Sequence, residues 1–204
     1  VYKRQEKYSA AAFATKHEDA IYFSKRVTRA VPDGGPIEAH TDLVKKLDYE
    51  CELAVVLGRD ARDVPAGQTR DYIFGYTILN DVSARDVQTA HKQWYFGKSL
   101  DGFTPIGPCI VTADAFADYP PRLGIRSFVN GEKRQDSNTA LQIFDIDHVI
   151  AELSQGMTLK AGTIIATGTP AGVGMGMDPP QFLKPGDVVR CEIDGIGTLT
   201  NPVR

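Results

Sequence analysis

Asp48-Tyr-Glu-Cys-Glu-Leu-Ala-Val-Val-Leu-Gly58 decides the reading of this chain. Val55-Val-Leu57 reads as a buried β-strand ending at Gly58, and the acidic start belongs to the same strand. Successive side chains on a strand point to opposite faces, so Glu50 and Glu52 share one face and Cys51 takes the other. Same-face neighbours lie about 6.6 Å apart along a strand. Two carboxylates that close repel unless a positive charge sits between them. The next apolar run, Tyr76-Thr-Ile-Leu-Asn-Asp81, ends in a third acid. Glu50, Glu52 and Asp81 are therefore read as a divalent metal site. The competing reading makes the two glutamates the solvent face of an edge strand.

Working outward, Ser83-Ala-Arg-Asp86 has the form of a capping box opening a helix to about His91 or Lys92. On that helix Arg85 and Gln88, three residues apart, share a face beside the proposed metal. Trp94 to Asp101 reads as irregular. Gly97-Lys98-Ser99 resembles the end of a P-loop, but Lys92 stands where the first glycine belongs, so nucleotide binding is rejected. Lys98 alone reads as a surface lysine. Ala20 to Ser24 is β-prone, and Lys25-Arg26 follow it. Asn130-Gly131 marks a hairpin. Asp147 is expected to start an amphipathic helix with Val149, Ile150 and Leu153 inward and Gly156 closing it. Thr163 to Thr167 reads as a buried strand breaking into a glycine-rich loop. Gly172, Gly174 and Gly176 miss the dinucleotide fingerprint, since Met177 occupies its last place. The loop instead offers backbone N–H groups and the Thr169 hydroxyl to a ligand.

The whole is bounded by 204 residues, an apolar fraction of 42%, a charged fraction of 24% and a net charge of -3. These describe one domain with a sizeable core and no basic nucleic-acid surface. No apolar run approaches membrane-spanning length. Cys51, Cys109 and Cys191 are odd in number and far apart, and read as reduced core residues of a cytoplasmic protein. His17, His40, His91 and His148 show no metal-ligand spacing; His148 reads as helix surface and His91 as structural. Many short strands with few helices give a β-rich α+β fold. The first five residues, Val1-Tyr-Lys-Arg-Gln5, are what GTG TAT AAG AGA CAG encodes, the end of a transposase adapter. They are set aside from fold reasoning, and the natural N-terminus is expected upstream.

Several motifs recur in fixed order: Tyr49-Glu-x-Glu-Leu-Ala-Val-Val, Asn80-Asp-Val-Ser-Ala-Arg-Asp-x-Gln88, Gly97-Lys-Ser-x-Asp101 and Pro105-x-Gly-Pro108. Asn130-Gly-Glu, Thr167-Gly-Thr-Pro-Ala-Gly-Val-Gly174, Phe182-Leu-Lys-Pro-Gly-Asp187 and Gly197-Thr-Leu-x-Asn201 complete the series. The chain thereby resembles the catalytic domain of the fumarylacetoacetate hydrolase family, near its acylpyruvate hydrolase and 2-hydroxyhepta-2,4-diene-1,7-dioate isomerase members. The resemblance spans residues 20–204 and leaves 1–19 as a truncated lid segment. It implies a mixed β-roll, a homodimer, and Mg²⁺ or Mn²⁺, with Ca²⁺ a further candidate, on Glu50, Glu52 and Asp81. It also implies that Arg85, Gln88, Lys98, Gly168 and Thr169 face the substrate, with Lys98, Arg85 and Gln88 stabilising developing negative charge. Three carboxylates without soft ligands suit a hard ion of that kind.

The implied activity is metal-dependent hydrolysis of a C–C bond in an acylpyruvate or related 2,4-diketo acid, through a pyruvate enolate held on the ion. Oxaloacetate decarboxylation and isomerisation of a 2-oxo diacid of aromatic catabolism use the same enolate. A non-catalytic acid-binding homologue is the alternative from another class. The chain departs from the family pattern at N-Y-x-x-H-x-x-E, whose His and Glu activate water from a mobile lid. Aligned on Tyr2, Gln5 replaces the His and Tyr8 the Glu, with Glu6 a weaker candidate for the last residue. No general base can be named from the sequence; His17 and Glu18 are the next candidates.

Overall fold

The computed structural model describes residues 19–204. The readings placed on Val1–Gln5, Glu6, Tyr8, His17 and Glu18 lie outside them. The described chain runs β1 (Leu47–Asp48), β2 (Cys51–Leu57), β3 (Ile73–Asn80), β4 (Ser83–Ala84), α1 (Arg85–Ala90), α2 (Tyr95–Lys98) and β5 (Ile106–Thr112). It continues through β6 (Gly124–Val129), β7 (Glu132–Asn138), α3 (Ile146–Ser154), β8 (Ile164–Ala166), β9 (Val188–Ile193) and β10 (Gly197–Pro202). Two four-stranded sheets, in the orders β5-β3-β2-β8 and β10-β9-β6-β7, carry the fold, and every pairing in them is antiparallel.

The core lies where these sheets face each other. Alternation sends Cys51, Leu53, Val55 and Leu57 of β2 inward to meet Ile125 and Val129 of β6 and Val189, Cys191 and Ile193 of β9. Burying each such aliphatic side chain contributes about 1.5–3 kcal/mol. The opposite side of β2 therefore carries Glu52, and Glu50 just before the strand falls on that side too. A short pairing of β1 with β4 sets Asp48 opposite Ser83 and so lays the start of α1 beside the head of β2. Asn130 and Gly131, both at positive φ, close the β6–β7 hairpin where Val129 pairs with Glu132.

Several expectations change. Residues 20–24 form no strand. The capping box does not form. The N-cap of α1 is Ala84, whose methyl group cannot accept a hydrogen bond, while Ser83 Oγ donates to the Asp81 carbonyl and Asp86 accepts from the Lys45 N–H. Residues 95–98 are helical rather than irregular. The third helix starts at Ile146, capped by Asp145, and buries Ile146, Ile150, Ala151 and Ser154, while Val149 and Leu153 are half-buried. Strand β8 is a sheet edge, so Ile164 is exposed rather than buried. Cys51 and Cys191 are buried free thiols, but Cys109 is exposed on β5.

Candidate functional site

Glu50, Glu52 and Asp81 come together as the sequence predicts. Each is 2–3% exposed, and one carboxylate oxygen from each lies within 4.8 Å of the others. The backbone builds this convergence. Asp81 N–H donates to the Glu50 carbonyl at 2.9 Å, and Asn80 Oδ1 accepts from Glu50 N–H at 3.0 Å. The ends of β2 and β3 are thereby locked side by side.

Positive charge reaches the acids from three directions. Lys98 Nζ donates to Glu50 Oε2 at 2.7 Å and Asp81 Oδ2 at 2.6 Å. It gets there because α2 packs hard on α1: a Cβ at Gly97 would meet the Gln88 backbone nitrogen at 2.6 Å, so only glycine fits. Arg85 pairs through Nη1 with Glu50 Oε1 at 2.7 Å and through Nε with Asp48 Oδ2 at 2.8 Å. Gln88 Oε1 accepts from the same Nη1 at 3.2 Å, as the shared helix face requires. Burial opposes the guanidinium charge, but Glu50 and Asp48 outweigh it and push the Arg85 pKa up. Arg85 Nη2 is buried and has no hydrogen-bond partner among the described residues.

The third cation, Lys25, was read in the sequence only as a basic residue following a β-prone run. Its Nζ lies 2.6 Å from Asp81 Oδ1 and 3.3 Å from the Val82 carbonyl. Burial lowers its pKa, with Asp81 opposing and Lys98 adding to the shift. The segment carrying it is held at three points. Arg26 N–H donates to Ser99 Oγ, Tyr22 donates to Glu152, and the Phe23 ring stands 5.3 Å from Lys98 Nζ. A lysine ending an apolar run is the same signal that marked Asp81, and applied to charge of either sign it finds Lys25.

The glycine-rich loop lies against the head of β2. Gly168 N–H donates to Glu52 Oε2 at 2.8 Å. The Thr169 hydroxyl is committed to the protein: it donates to the Cys51 carbonyl and accepts from Gln135 Nε2. Gln135, on polar strand β7 yet 1% exposed, also accepts from Cys51 N–H and Ser127 Oγ. His91 and His148 are exposed, with His91 edge-on to Phe96 and His148 stacked on Phe144. An open cavity of about 490 Å³ between Glu38–Leu43, Pro185 and Arg204 contains none of these residues.

The donor set suits a divalent cation: three buried carboxylates, all oxygen, crowded into one place. Burial and the neighbouring Asp81 and Glu50 charges raise the Glu52 pKa to about 8, despite Lys98 and the Gly168 N–H. A cation bound there would have to displace the Glu52 proton near neutrality.

The β-rich architecture and this acid cluster define a class that comparison with known proteins identifies. The family model described as fumarylacetoacetate (FAA) hydrolase C-terminal matches residues 2–204, and the chain belongs to that family. It superposes on a fumarylacetoacetate hydrolase of Exiguobacterium antarcticum with a TM-score of 0.90 at 47% identity, covering 100% of this chain and 72% of that one. It is 42% identical to a 5-carboxymethyl-2-hydroxymuconate delta-isomerase of Mycobacterium smegmatis, with a TM-score of 0.81, covering 91% and 70%. Among curated sequences it is 45% identical over 186 residues to the oxaloacetate tautomerase YisK of Bacillus subtilis, covering 91% of this chain and 62% of that protein. The chain spans 59–65% of the length of such curated relatives. Among the described residues no helix is long and apolar enough to cross a membrane.

Proposed function

We propose that this chain carries the centre of a metal-dependent enzyme that stabilises the enolate of a short 2-oxo acid. The observation that carries the reading is Arg85 Nη2, a buried donor without a partner among the described residues, set beside three converging carboxylates. Among those residues, Asp48, Glu50, Glu52 and Asp81 face Lys25, Arg85 and Lys98, which leaves a formal excess of one negative charge. Adding a divalent cation makes the site net positive and so receptive to an anion. Glu50, Glu52 and Asp81 would hold Mg²⁺ or Mn²⁺, which would supply Lewis-acid polarisation of a 2-oxo group.

The protein's own groups do the rest. Arg85 Nη2 donates to the substrate carboxylate and fixes its orientation. Lys98 pins Glu50 and Asp81 and, with Lys25, adds fixed positive charge where the enolate forms. Gln88 holds the guanidinium plane. The Lys25 segment, with Phe23 over Lys98, limits water at the site, which strengthens each of these contacts.

Two reactions share this enolate. Keto–enol interconversion or isomerisation of an oxaloacetate-like diacid is supported by the tautomerase and isomerase names of relatives at 42–45% identity. Hydrolysis of an acylpyruvate C–C bond is supported by the hydrolase name of the Exiguobacterium structure. The test is to load the chain with Mn²⁺ and assay both. Enol oxaloacetate decay is followed by ultraviolet absorbance, and acylpyruvate cleavage by release of pyruvate. Turnover of either, abolished by chelator and restored by Mn²⁺, is expected. Mn²⁺ binding without turnover of either substrate would make the chain an acid-binding module.

A further inference from the structure

Asp48 enters the reading above only as a charge, yet its carboxylate is fully buried and saturated. Oδ1 accepts from the Tyr49 N–H at 2.9 Å and the Gly174 N–H at 2.7 Å. Oδ2 accepts from Arg85 Nε at 2.8 Å and the Met175 N–H at 3.0 Å. One side chain thus joins the head of β2, the substrate-facing arginine and the turn that ends the glycine-rich loop. The loop is shaped for it: a Cβ at Gly174 would meet the Gln181 carbonyl oxygen at 2.0 Å and Asp48 Oδ1 at 2.8 Å. The arginine is shaped by it as well. With Nε on Asp48 and Nη1 on Glu50 and Gln88, the guanidinium plane is fixed and only Nη2 is left over.

We propose that Asp48 is a positioning residue: it holds Arg85 so that Nη2 faces the substrate carboxylate, and it ties that donor to the glycine-rich loop. The inference rests on the reading of the site as a 2-oxo acid centre. A fork donor discriminates by orientation as well as charge, so rotation about its Nε edge costs binding even with the charge retained. All four groups around Asp48 are donors. An amide there must turn its NH₂ on either Arg85 and Met175 or Tyr49 and Gly174, so Asp48→Asn has no flip that fits.

The test is a double-mutant cycle on Asp48→Asn and Arg85→Lys. Binding of Mn²⁺, then of oxalate to the Mn²⁺-loaded chain, is measured by calorimetry; oxalate is a planar dianion shaped like enolised pyruvate. Asp48→Asn is expected to weaken oxalate about 10- to 100-fold in the parent, the worth of one charge-assisted hydrogen bond. In the Arg85→Lys background it should weaken oxalate by less than about threefold, and in each background Asp48→Asn should itself change Mn²⁺ affinity by less than about threefold. Equal losses in both backgrounds, or a parallel collapse of Mn²⁺ affinity, would make Asp48 a structural or metal-side group and overturn the inference. Parent-like oxalate binding in Asp48→Asn would overturn it too, while leaving the 2-oxo acid reading intact. If the Mn²⁺-loaded parent binds no oxalate, that reading and this inference fall together. Should Asp48→Asn not fold, Arg85→Ala serves instead. Guanidinium ion, seated against Asp48 and Glu50, should then restore oxalate binding where ethylammonium does not; rescue by neither, or by both alike, overturns the assignment.

Discussion

Helices α1 and α3 are built from the same rules and treat them in opposite ways. Helix α3 follows them: Asp145 caps it by accepting from the His148 N–H at 2.8 Å, and its inner face buries Ile146, Ile150 and Ala151. Helix α1 breaks them. It is only six residues long, lacks a side-chain cap, and turns Arg85 and Gln88 inward with Val87. Burying a guanidinium is costly unless it is paired, and Asp48 and Glu50 pair it. A helix that forgoes its cap and buries charge is held by its surroundings for another purpose, and the comparison locates function at α1 and structure at α3.

The strongest way to break that contrast is at the acids α1 serves. Glu52→Gln keeps shape and removes one ligand charge. Mn²⁺ affinity by calorimetry should fall about 10³-fold or more, beyond the 10–100-fold cost of disturbing a group behind a ligand, with the circular dichroism spectrum unchanged. Unaltered affinity would return Glu50 and Glu52 to an acidic surface that happens to be covered. Next comes Lys98→Met. It should lower kcat about 10²–10³-fold with a smaller change in KM, because the lost interaction grows with developing charge. A near-parental kcat would limit Lys98 to holding Glu50 and Asp81.

A smaller effect follows from Glu52 itself. Its pKa is raised to about 8 in the metal-free protein by burial and by Asp81 and Glu50. Below that pH the carboxyl holds a proton which a bound cation must displace, so Mn²⁺ affinity should rise about tenfold per pH unit from pH 6 to 7 and level off above pH 8. The same shift makes the metal-free fold lose stability as pH climbs from the ordinary carboxylate range through 8, since the folded state prefers the protonated form. A flat affinity profile would show that Lys25 and Lys98 already neutralise the cluster.

Much of this was legible in the sequence, and the gaps share one cause. Period-two alternation and a third acid ending the next strand were enough to bring Glu50, Glu52 and Asp81 together. Helical spacing was enough to put Arg85 and Gln88 on one face. Asn130-Gly131 closed the hairpin it marks. Lys25, Asp48 and Gln135 escaped because their roles depend on partners far along the chain: Asp81 lies 56 residues from Lys25, Met175 lies 127 from Asp48, and Cys51 lies 84 from Gln135. Gln135 was further hidden in a strand of mostly polar residues, which looks like solvent face on both sides. The Ser83 capping box misled for a related reason. Its hydroxyl had a nearer acceptor in the Asp81 carbonyl, so the site recruited a residue that local rules assign to the helix.

The smallest predicted effect sharpens the contrast from the α3 side. Asp145→Ala removes the cap and leaves the His148 N–H to solvent, which typically costs about 1 kcal/mol. In a domain of this size that lowers Tm by about 2–4 °C. The loss should stop there. Helix α3 packs on the short turn Thr69–Tyr72, where Asp147 accepts from Thr69 and from the Gly67 N–H; none of these groups touches the acids, and Glu152, which holds Tyr22 of the Lys25 segment, lies toward the other end of the helix from the cap. Mn²⁺ affinity and turnover of the metal-loaded chain should therefore match the parent at a temperature below both transitions. A tenfold loss of Mn²⁺ affinity would mean that the cap at α3 holds the ends of β2 and β3 in place, and the division between a structural and a functional helix would not stand. A lower Tm with parental affinity would confirm that α3 stabilises the fold without shaping the centre, the reverse of α1, whose inward Arg85 and Gln88 serve the centre directly.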